Sequence, residues 1–465
     1  MNRLSALILG VATALVAGCA VGPDYRRPDI EKVDAWKEAA DWKPSSPADG
    51  INRGAWWQIF ADPELDALER QVEVSNQNVR AALAAYDQAR ALVSQSRSAF
   101  LPTVGATASR ERSNGIAGSA NAHIADTAGL NADWTIDVWG QLRRSLENSR
   151  SSAEASAAAL AAARLSAQAS LASDYFQLRA QDQLQSLLDE TVKAQQASLQ
   201  ITESRYRYGV AARADVVSAQ AQLLASQSLQ VNARVQRSVL EHAIAVLTGR
   251  QPGNFSLATA PLRTDVPTVP PGIPSTLLER RPDIAEAERK VAAANAGIGV
   301  AISAYFPSLT LAAADTYQGS SISHLITASD RVWSFGLQLA LSVFDGGLRR
   351  AQVAQARAVY DASVATYRQT VLAAFQQVED EISTLRILQD QAAIEVDAVK
   401  AARQAEALTL NQYKAGTVPY SSVIAAQTTT FSSEQNALNV LSSRLQASVT
   451  LIGALGGGWT TQDLP

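Results

Sequence analysis

The sequence predicts a mainly α chain with a membrane β-barrel, one structural plan used twice in 465 residues. Three observations predict it. Blocks of sequence recur in the same order in two halves. Two segments alternate apolar and polar residues over the length of a tilted membrane strand. A seven-residue apolar period runs through very long helical segments. Each half supplies two strands, and four strands cannot close a barrel. Two chains would give eight strands, whose interior is filled by side chains; three would give twelve and leave room inside. A conduit therefore favours at least a trimer.

The duplication is read from paired blocks. NVRAALAAYDQARALVSQSRSAFLPTV starts at Asn78, and DIAEAERKVAAANAGIGVAISAYFPSL starts at Asp283. Both are helical in pattern and both end in an aromatic residue close to a proline. GQLRR at 140 matches GGLRR at 346, and SRYRYGVAARADVVSAQ from Ser204 matches NQYKAGTVPYSSVIAAQ from Asn411.

Each half opens with a helix, expected over 63–99 and 283–304. Asp62-Pro63 suits the first start, with Asp as N-cap and Pro at the first helical position. Two strands follow, then a helix over 141–207 or 348–414, on the order of 100 Å long at ~1.5 Å per residue. A glycine-containing turn leads to a second helix, 213–248 or 419–455, and Gly249 and Gly456 suit the helix ends. The expected organisation is a signal peptide 1–18, an equatorial or anchor segment 19–62, a first repeat 63–250, a linker 251–276, a second repeat 277–457 and a tail 458–465. In the repeats, the hairpins fall at 103–139 and 309–344, and the helical pairs at 141–249 and 348–456.

From Leu130 to Val138 apolar and polar residues alternate strictly: Leu130, Ala132, Trp134, Ile136 and Val138 face one way. From Trp333 to Val343 the pattern returns, with Trp333, Phe335, Leu337, Leu339, Leu341 and Val343 on one face. A period of two marks a strand, and about nine to eleven residues match a tilted transmembrane strand. The partner strands, 103–111 and 309–318, are richer in Ala and Thr, and the loops 112–129 and 319–331 are small and polar. Alternation alone also fits a soluble hairpin packed on helices. In the long helices, Val364, Val371, Val378 and Leu385 recur every seven residues, as do Val192, Leu199 and Tyr206. That period implies left-handed winding around neighbouring helices; an ordinary helical bundle is the alternative.

The N-terminus accounts for the only cysteine. Arg3 precedes a short apolar run, LSALILGVATALVA, too short to span a bilayer, which needs about 20 apolar residues, and suited to an export signal. Val16-Ala17-Gly18-Cys19 resembles the bacterial lipoprotein signature, in which cleavage precedes an acylated cysteine; a general export signal with an incidental cysteine is the alternative. Ala20, not Asp, follows, a pattern that in lipoproteins implies the outer membrane. Three acyl chains on Cys19, as that signature implies, would exceed the two anchors that stable attachment needs. With a net charge of −4, nothing in the composition suggests a strongly basic nucleic-acid surface. Charged residues are 18% of the chain, below the ~25% typical of soluble domains.

With GCAVGPDYRRP, WWQIFADPELDALE, LLERRPDIAEAE, YFPSLTL, SVFDGGLRR and YKAGTVPYSSV together, the mature chain resembles the TolC-like outer-membrane efflux channels, in their lipoprotein (NodT-type) branch. The resemblance implies a trimer: a twelve-stranded barrel in the outer membrane, a long helical barrel across the periplasm and an equatorial belt. It also implies a passive exit duct for small molecules. The implied partners are a periplasmic membrane-fusion adaptor and a proton-driven inner-membrane transporter of the resistance-nodulation-division type.

The resemblance places Gly209 and Val210 in one helix–helix turn and Gly416 and Thr417 in the other, where the family meets its adaptor; plain helix reversal explains the glycines equally well. In related channels a tyrosine three before the second glycine bonds an aspartate six after the first. Here these are Tyr413 and Asp215, a candidate closing latch; an aspartate near a turn also serves simply as a cap. The family's gate arginine is replaced by Val418, and Ser422 and Ala425 stand where acidic residues form a ring. Asp215 offers a different ring of three, and Pro419 and Tyr420 offer a steric narrowing of the mouth.

An enzyme is not expected, because catalysis needs converging acid, base or nucleophile groups. His123 and His324 fall in hairpin loops and His242 late in a helix, none within a motif. No cofactor or metal is expected, and Met1 is the only methionine. Two further functional classes remain: a type I protein-secretion channel with the same architecture, and a lipid-anchored periplasmic scaffold without a pore. The scaffold leaves the alternating strands unexplained.

Overall fold

The computed structural model describes residues 20–30, 35–39, 55–114, 122–269, 280–321, 326–327 and 329–459. Cys19 and the signal segment lie outside the described residues. The elements are α1 (Pro63–Ser75), α2 (Gln77–Ser98), β1 (Thr103–Asn114), β2 (Ala122–Thr135), α3 (Gln141–Arg207) and α4 (Arg213–Leu247). The second half gives α5 (Pro282–Ser303), β3 (Ser308–Gly319), β4 (Arg331–Ala340), α6 (Leu348–Ala415) and α7 (Tyr420–Ala454). No helix among the described residues is long and apolar enough to cross a membrane.

The chain forms two compact units, and neither is one of the sequence halves. Each takes segments from both: 1–30, 84–157 and 286–369 in one, and 31–83, 158–285 and 370–465 in the other.

The first unit carries one antiparallel sheet in the order β1-β2-β3-β4. Its registers place Ala132 opposite Val104 and Ala313, and Phe335 opposite Ala313. Side chains alternate across the pleat, so Val104, Leu130, Trp134, Leu311, Phe335, Leu337 and Leu339 share one face. The other face carries Thr103, Asn131, Asp133, Thr310, Thr316, Ser334 and Gln338. β2 begins eight residues before the expected Leu130. The stretch 122–129 lacks bulky alternating residues, but its backbone pairs fully with β1. The strands therefore run further into the expected first loop.

Matching joints lead from the strands into the long helices. Asp137 accepts from the backbone N–H of Leu142 (3.1 Å) and of Arg143 (3.0 Å), capping α3. Asp345 accepts from Gly347 N–H at 2.9 Å and pairs with the Arg349 guanidinium at 2.5 Å. The segment after Cys19 is tied down in the same unit. Val21 N–H donates to Trp139 O at 3.0 Å. Arg144 donates to Val21 O and Asp24, and Asn295 donates to Pro23 O. Gly22 has φ +97°, and a Cβ there would lie 2.5 Å from Gly299 Cα, so no side chain fits.

The second unit buries Trp56, Trp57 and Phe60; Trp56 donates to Gln168 and Phe60 packs on Phe176, both of α3, with the phenylalanine ring centroids 4.8 Å apart. Each such aromatic removes roughly 150–250 Å² from water, a stabilisation of several kcal/mol at ~25 cal/mol per Å². Asp62 caps α1, accepting from Glu64 and Leu65 N–H. The helix expected over 63–99 is broken at Asn76. Its side-chain oxygen caps α2 through Asn78 and Val79 N–H, and its amide donates to Leu247 O at 2.8 Å. The second half builds this joint with Arg281, which donates to Ala454 O at 3.0 Å. Gly249 and Gly456, each two residues beyond the accepting carbonyl, have positive φ. A Cβ on either would strike the carbonyl of Ser75 or Arg280. The strap after α4 is held by buried charge: Arg179 donates to Ala258 O and Arg237 to Leu257 O, and Asp182 accepts from both guanidinium groups.

In α6 the buried stripe is Tyr367, Val371, Ala374, Val378, Ile382 and Leu385, the spacing of a coiled-coil seam. In α3 it runs through Leu188 and Val192 and then turns polar at Gln195, Ser198 and Thr202. Tyr206, expected on the stripe, is 45% exposed because the 3.6-residue helix drifts off a strict seven-residue repeat.

Candidate functional site

Both helix–helix turns are built alike. Gly209 has φ +73° and Gly416 φ +80°, the left-handed conformation that glycine adopts without Cβ strain. Val210 N–H donates to Arg205 O at 2.8 Å and Thr417 N–H to Gln412 O at 3.0 Å, each closing a six-to-one Schellman cap. A Cβ on Gly209 would meet nothing within 4 Å. Its backbone angle, not crowding, is what calls for glycine. Tyr208 (82% exposed) and Val210 (63%) leave an apolar surface at this turn, and Thr417 is also exposed.

Beneath the turns, Tyr413, Tyr420, Val423 and Ala219 form a buried cluster with Val418 packed on its edge. The Tyr413 and Tyr420 ring centroids are 5.2 Å apart. The Tyr413 hydroxyl donates to Thr202 Oγ1 at 3.4 Å, and Gln427 donates to Ser198 Oγ at 3.1 Å. Within one chain Tyr413 is thus bonded to Thr202 on α3. Asp215, half-buried in the first turn of α4, favours the positive end of that helix. Its charge reaches Tyr420. Burial, then the neighbouring Tyr413, then Asp215 push the Tyr420 hydroxyl up to about 12. Pro419 is exposed and starts α7, whereas the Tyr420 ring is enclosed in the wall.

Sequence reasoning missed Arg205. Its guanidinium lies 4.9 Å from the Tyr413 ring centroid and donates to Lys414 O at 2.7 Å, fastening the end of α3 to the end of α6. No motif announces it, because the bond is to a backbone oxygen 209 residues away. Among the described residues no group of three or more His, Cys, Asp or Glu is arranged to hold a metal.

A sheet with one apolar face, two long helical pairs and two capped turns define a membrane channel subunit. A family model described as outer membrane efflux protein matches residues 68–250 and 273–457. The chain belongs to that family. It is 31% identical to the probable efflux pump outer membrane protein TtgC of Pseudomonas putida, across 98% of this chain and 96% of that one. Among solved structures it resembles the outer-membrane channel OprN, with a TM-score of 0.88, 30% identity and coverage of 95% of this chain and all of the other. It also resembles the open state of the Neisseria gonorrhoeae MtrE outer membrane channel, with a TM-score of 0.85 and 27% identity over 95% of this chain and 99% of that one. The chain is accordingly an outer-membrane efflux channel, the exit duct of an efflux system.

Proposed function

We propose that three copies close a twelve-stranded barrel and passively conduct small molecules delivered by a periplasmic adaptor and a proton-driven inner-membrane transporter. The observation that carries this reading is the open sheet. β1 and β4 are its two edges, and β4 presents Trp333, Phe335, Leu337 and Leu339, all at least 60% exposed, on one face. Unpaired strand edges are not tolerated in hydrocarbon, so β4 of one copy pairs with β1 of the next.

The duct carries no chemistry of its own. The turns at Gly209–Val210 and Gly416–Thr417 are the adaptor contacts, and exposed Tyr208 supports this. Asp215 and Tyr413 belong to the closing latch. Arg205 takes the fastening part at the turn where Val418 replaces a basic residue. Pro419 narrows the mouth, and Tyr420 braces it from within the wall. Cys19 carries the lipid anchor: Ala20, the next residue, packs against Gly140 close to the end of β2, the level at which a strand leaves the bilayer. The six-part division from signal peptide to tail, with two structural repeats, describes the chain's construction.

Conductance of the purified full chain in planar bilayers tests the reading. Discrete steps of one size, with efflux restored in a strain lacking its own duct, are expected. A tightly bound, lipid-anchored protein that gives no conductance under any condition overturns it.

A further inference from the structure

The apolar face of the sheet ends in arginine. Toward the β1–β2 and β3–β4 loops, the face that carries Leu130, Phe335 and Leu337 continues as Arg110, Arg112, Asp126, Asp315, Tyr317 and Arg331, by the same ladder registers. Two ion pairs form there, both bidentate. Arg110 donates to Asp126 at 2.7 and 2.9 Å, and Arg331 donates to Asp315 at 2.8 and 2.8 Å. Arg112 is exposed and makes neither pair. Asp330, one residue beyond β4, is engaged by Thr327 Oγ1 at 2.8 Å within its own turn.

Three guanidinium groups against two carboxylates leave this face donor-rich. A guanidinium has five N–H donors, and each carboxylate occupies two of them. Arg110 and Arg331 remain about half exposed despite their pairing. Tyr317 and Trp333 flank the arginines, as aromatic residues do at a membrane–water interface. An outward face that is apolar, then aromatic, then donor-rich fits a lipid whose headgroup is anionic and accepts hydrogen bonds without donating many. Phosphate matches the guanidinium fork in geometry and charge.

We propose that Arg110, Arg112 and Arg331 form an outward rim that binds the phosphate groups of the phosphorylated glycolipid of the outer leaflet, with Arg112, which belongs to neither ion pair, as the anchor. The two ion pairs keep Asp126 and Asp315 from repelling that headgroup. This rests on the reading that the apolar sheet face meets lipid.

The test uses the full chain, extracted in detergent and reconstituted in phosphatidylcholine vesicles containing a minor fraction of bis-phosphorylated lipid A, or of the same lipid stripped of phosphate. Lipid retained by the protein is counted by native mass spectrometry. The phosphorylated form should be retained preferentially, and less so at high salt. Arg112→Gln should weaken retention on the order of tenfold, the loss expected of one charge-assisted contact, and Arg112→Lys should keep most of it. Equal retention of both lipids overturns the proposal without any variant, and so does full retention by R112Q. Quenching by bromine-labelled acyl chains, measured as the part lost in Trp333→Phe, separates the two ideas. Quenching with no phosphate preference sinks only the rim; no quenching sinks the lipid-facing sheet and the rim with it.

Discussion

Arg205 and Tyr413 meet as cation and ring, 4.9 Å from guanidinium carbon to ring centroid, and the same guanidinium holds the carbonyl of the next residue, Lys414, at 2.7 Å. One side chain on α3 therefore fixes both the position of a buried tyrosine and the end of α6. Removing it forfeits a cation–π contact and a charge-assisted hydrogen bond, together about 2–4 kcal/mol. Arg205→Ala should raise the fraction of time that single channels conduct, while Arg205→Lys, which keeps the charge but loses the fork, falls between. Closed-state currents identical to the parent protein's would remove Arg205 from the latch.

Asp215 and Tyr413 give separable outcomes. Asp215→Ala should leak more ions in a reconstituted bilayer, since it takes a charge from beside Tyr420. Tyr413→Phe removes the bond to Thr202 and keeps the tilted ring contact with Tyr420, so its effect should be the smaller. Unchanged conductance in Asp215→Ala would leave the aspartate as a helix-end charge and nothing more.

Much of this architecture was legible from residue pattern, and the exceptions have physical causes. The long helices α3 and α6 announce themselves through Ala-rich, seven-residue spacing. β4 announces itself through Trp333, Phe335, Leu337 and Leu339. Asn76 did not announce the break between α1 and α2, because asparagine inside a helical pattern signals a cap only once a partner such as Leu247 O is present. Its counterpart Arg281 is a different residue type that shares only the donation to the helix-end carbonyl, so the duplicated joint was invisible to sequence comparison. In the site, the glycines could be found as turn residues, and Tyr413 and Asp215 were singled out only through the resemblance to related channels. Arg205, Thr202 and Gln427 act through partners more than two hundred residues away, and no local pattern encodes that.

The two joints should respond alike. Asn76→Ala loses a cap and a buried bond to Leu247 O, and should lower stability by about 1–3 kcal/mol. Arg281→Ala should cost a similar amount through Ala454 O. Thermal unfolding monitored by circular dichroism reads both, and a shift in only one would break the structural equivalence of the halves.

Glycines separate by cause. Gly456→Ala meets both a positive φ and the Arg280 carbonyl, so it should abolish recovery of folded channel from the outer membrane. Gly209→Ala meets only the backbone penalty, about 1–2 kcal/mol, and should still assemble. Recovery of both variants at parental levels would contradict the close approach at Gly456.

Glu69 makes stability depend on pH. Its side chain is buried in α1 with neither carboxylate oxygen bonded among the described residues, and burial holds its carboxyl well above the usual glutamate range. The fold favours the protonated form. The stabilising contribution is therefore complete below the ordinary glutamate value and is lost as pH rises toward the raised folded value. Glu69→Gln should flatten that dependence in melting curves taken across the range. Parallel curves for parent and variant would show that Glu69 does not titrate there.

The central claim is closure of a four-stranded sheet by copies of itself. The mass of the detergent-extracted assembly from outer-membrane fractions, with detergent subtracted, tests it most directly. Three chains are expected, giving twelve strands and a duct. A stable single chain, with β1 and β4 still unpaired, would contradict the account.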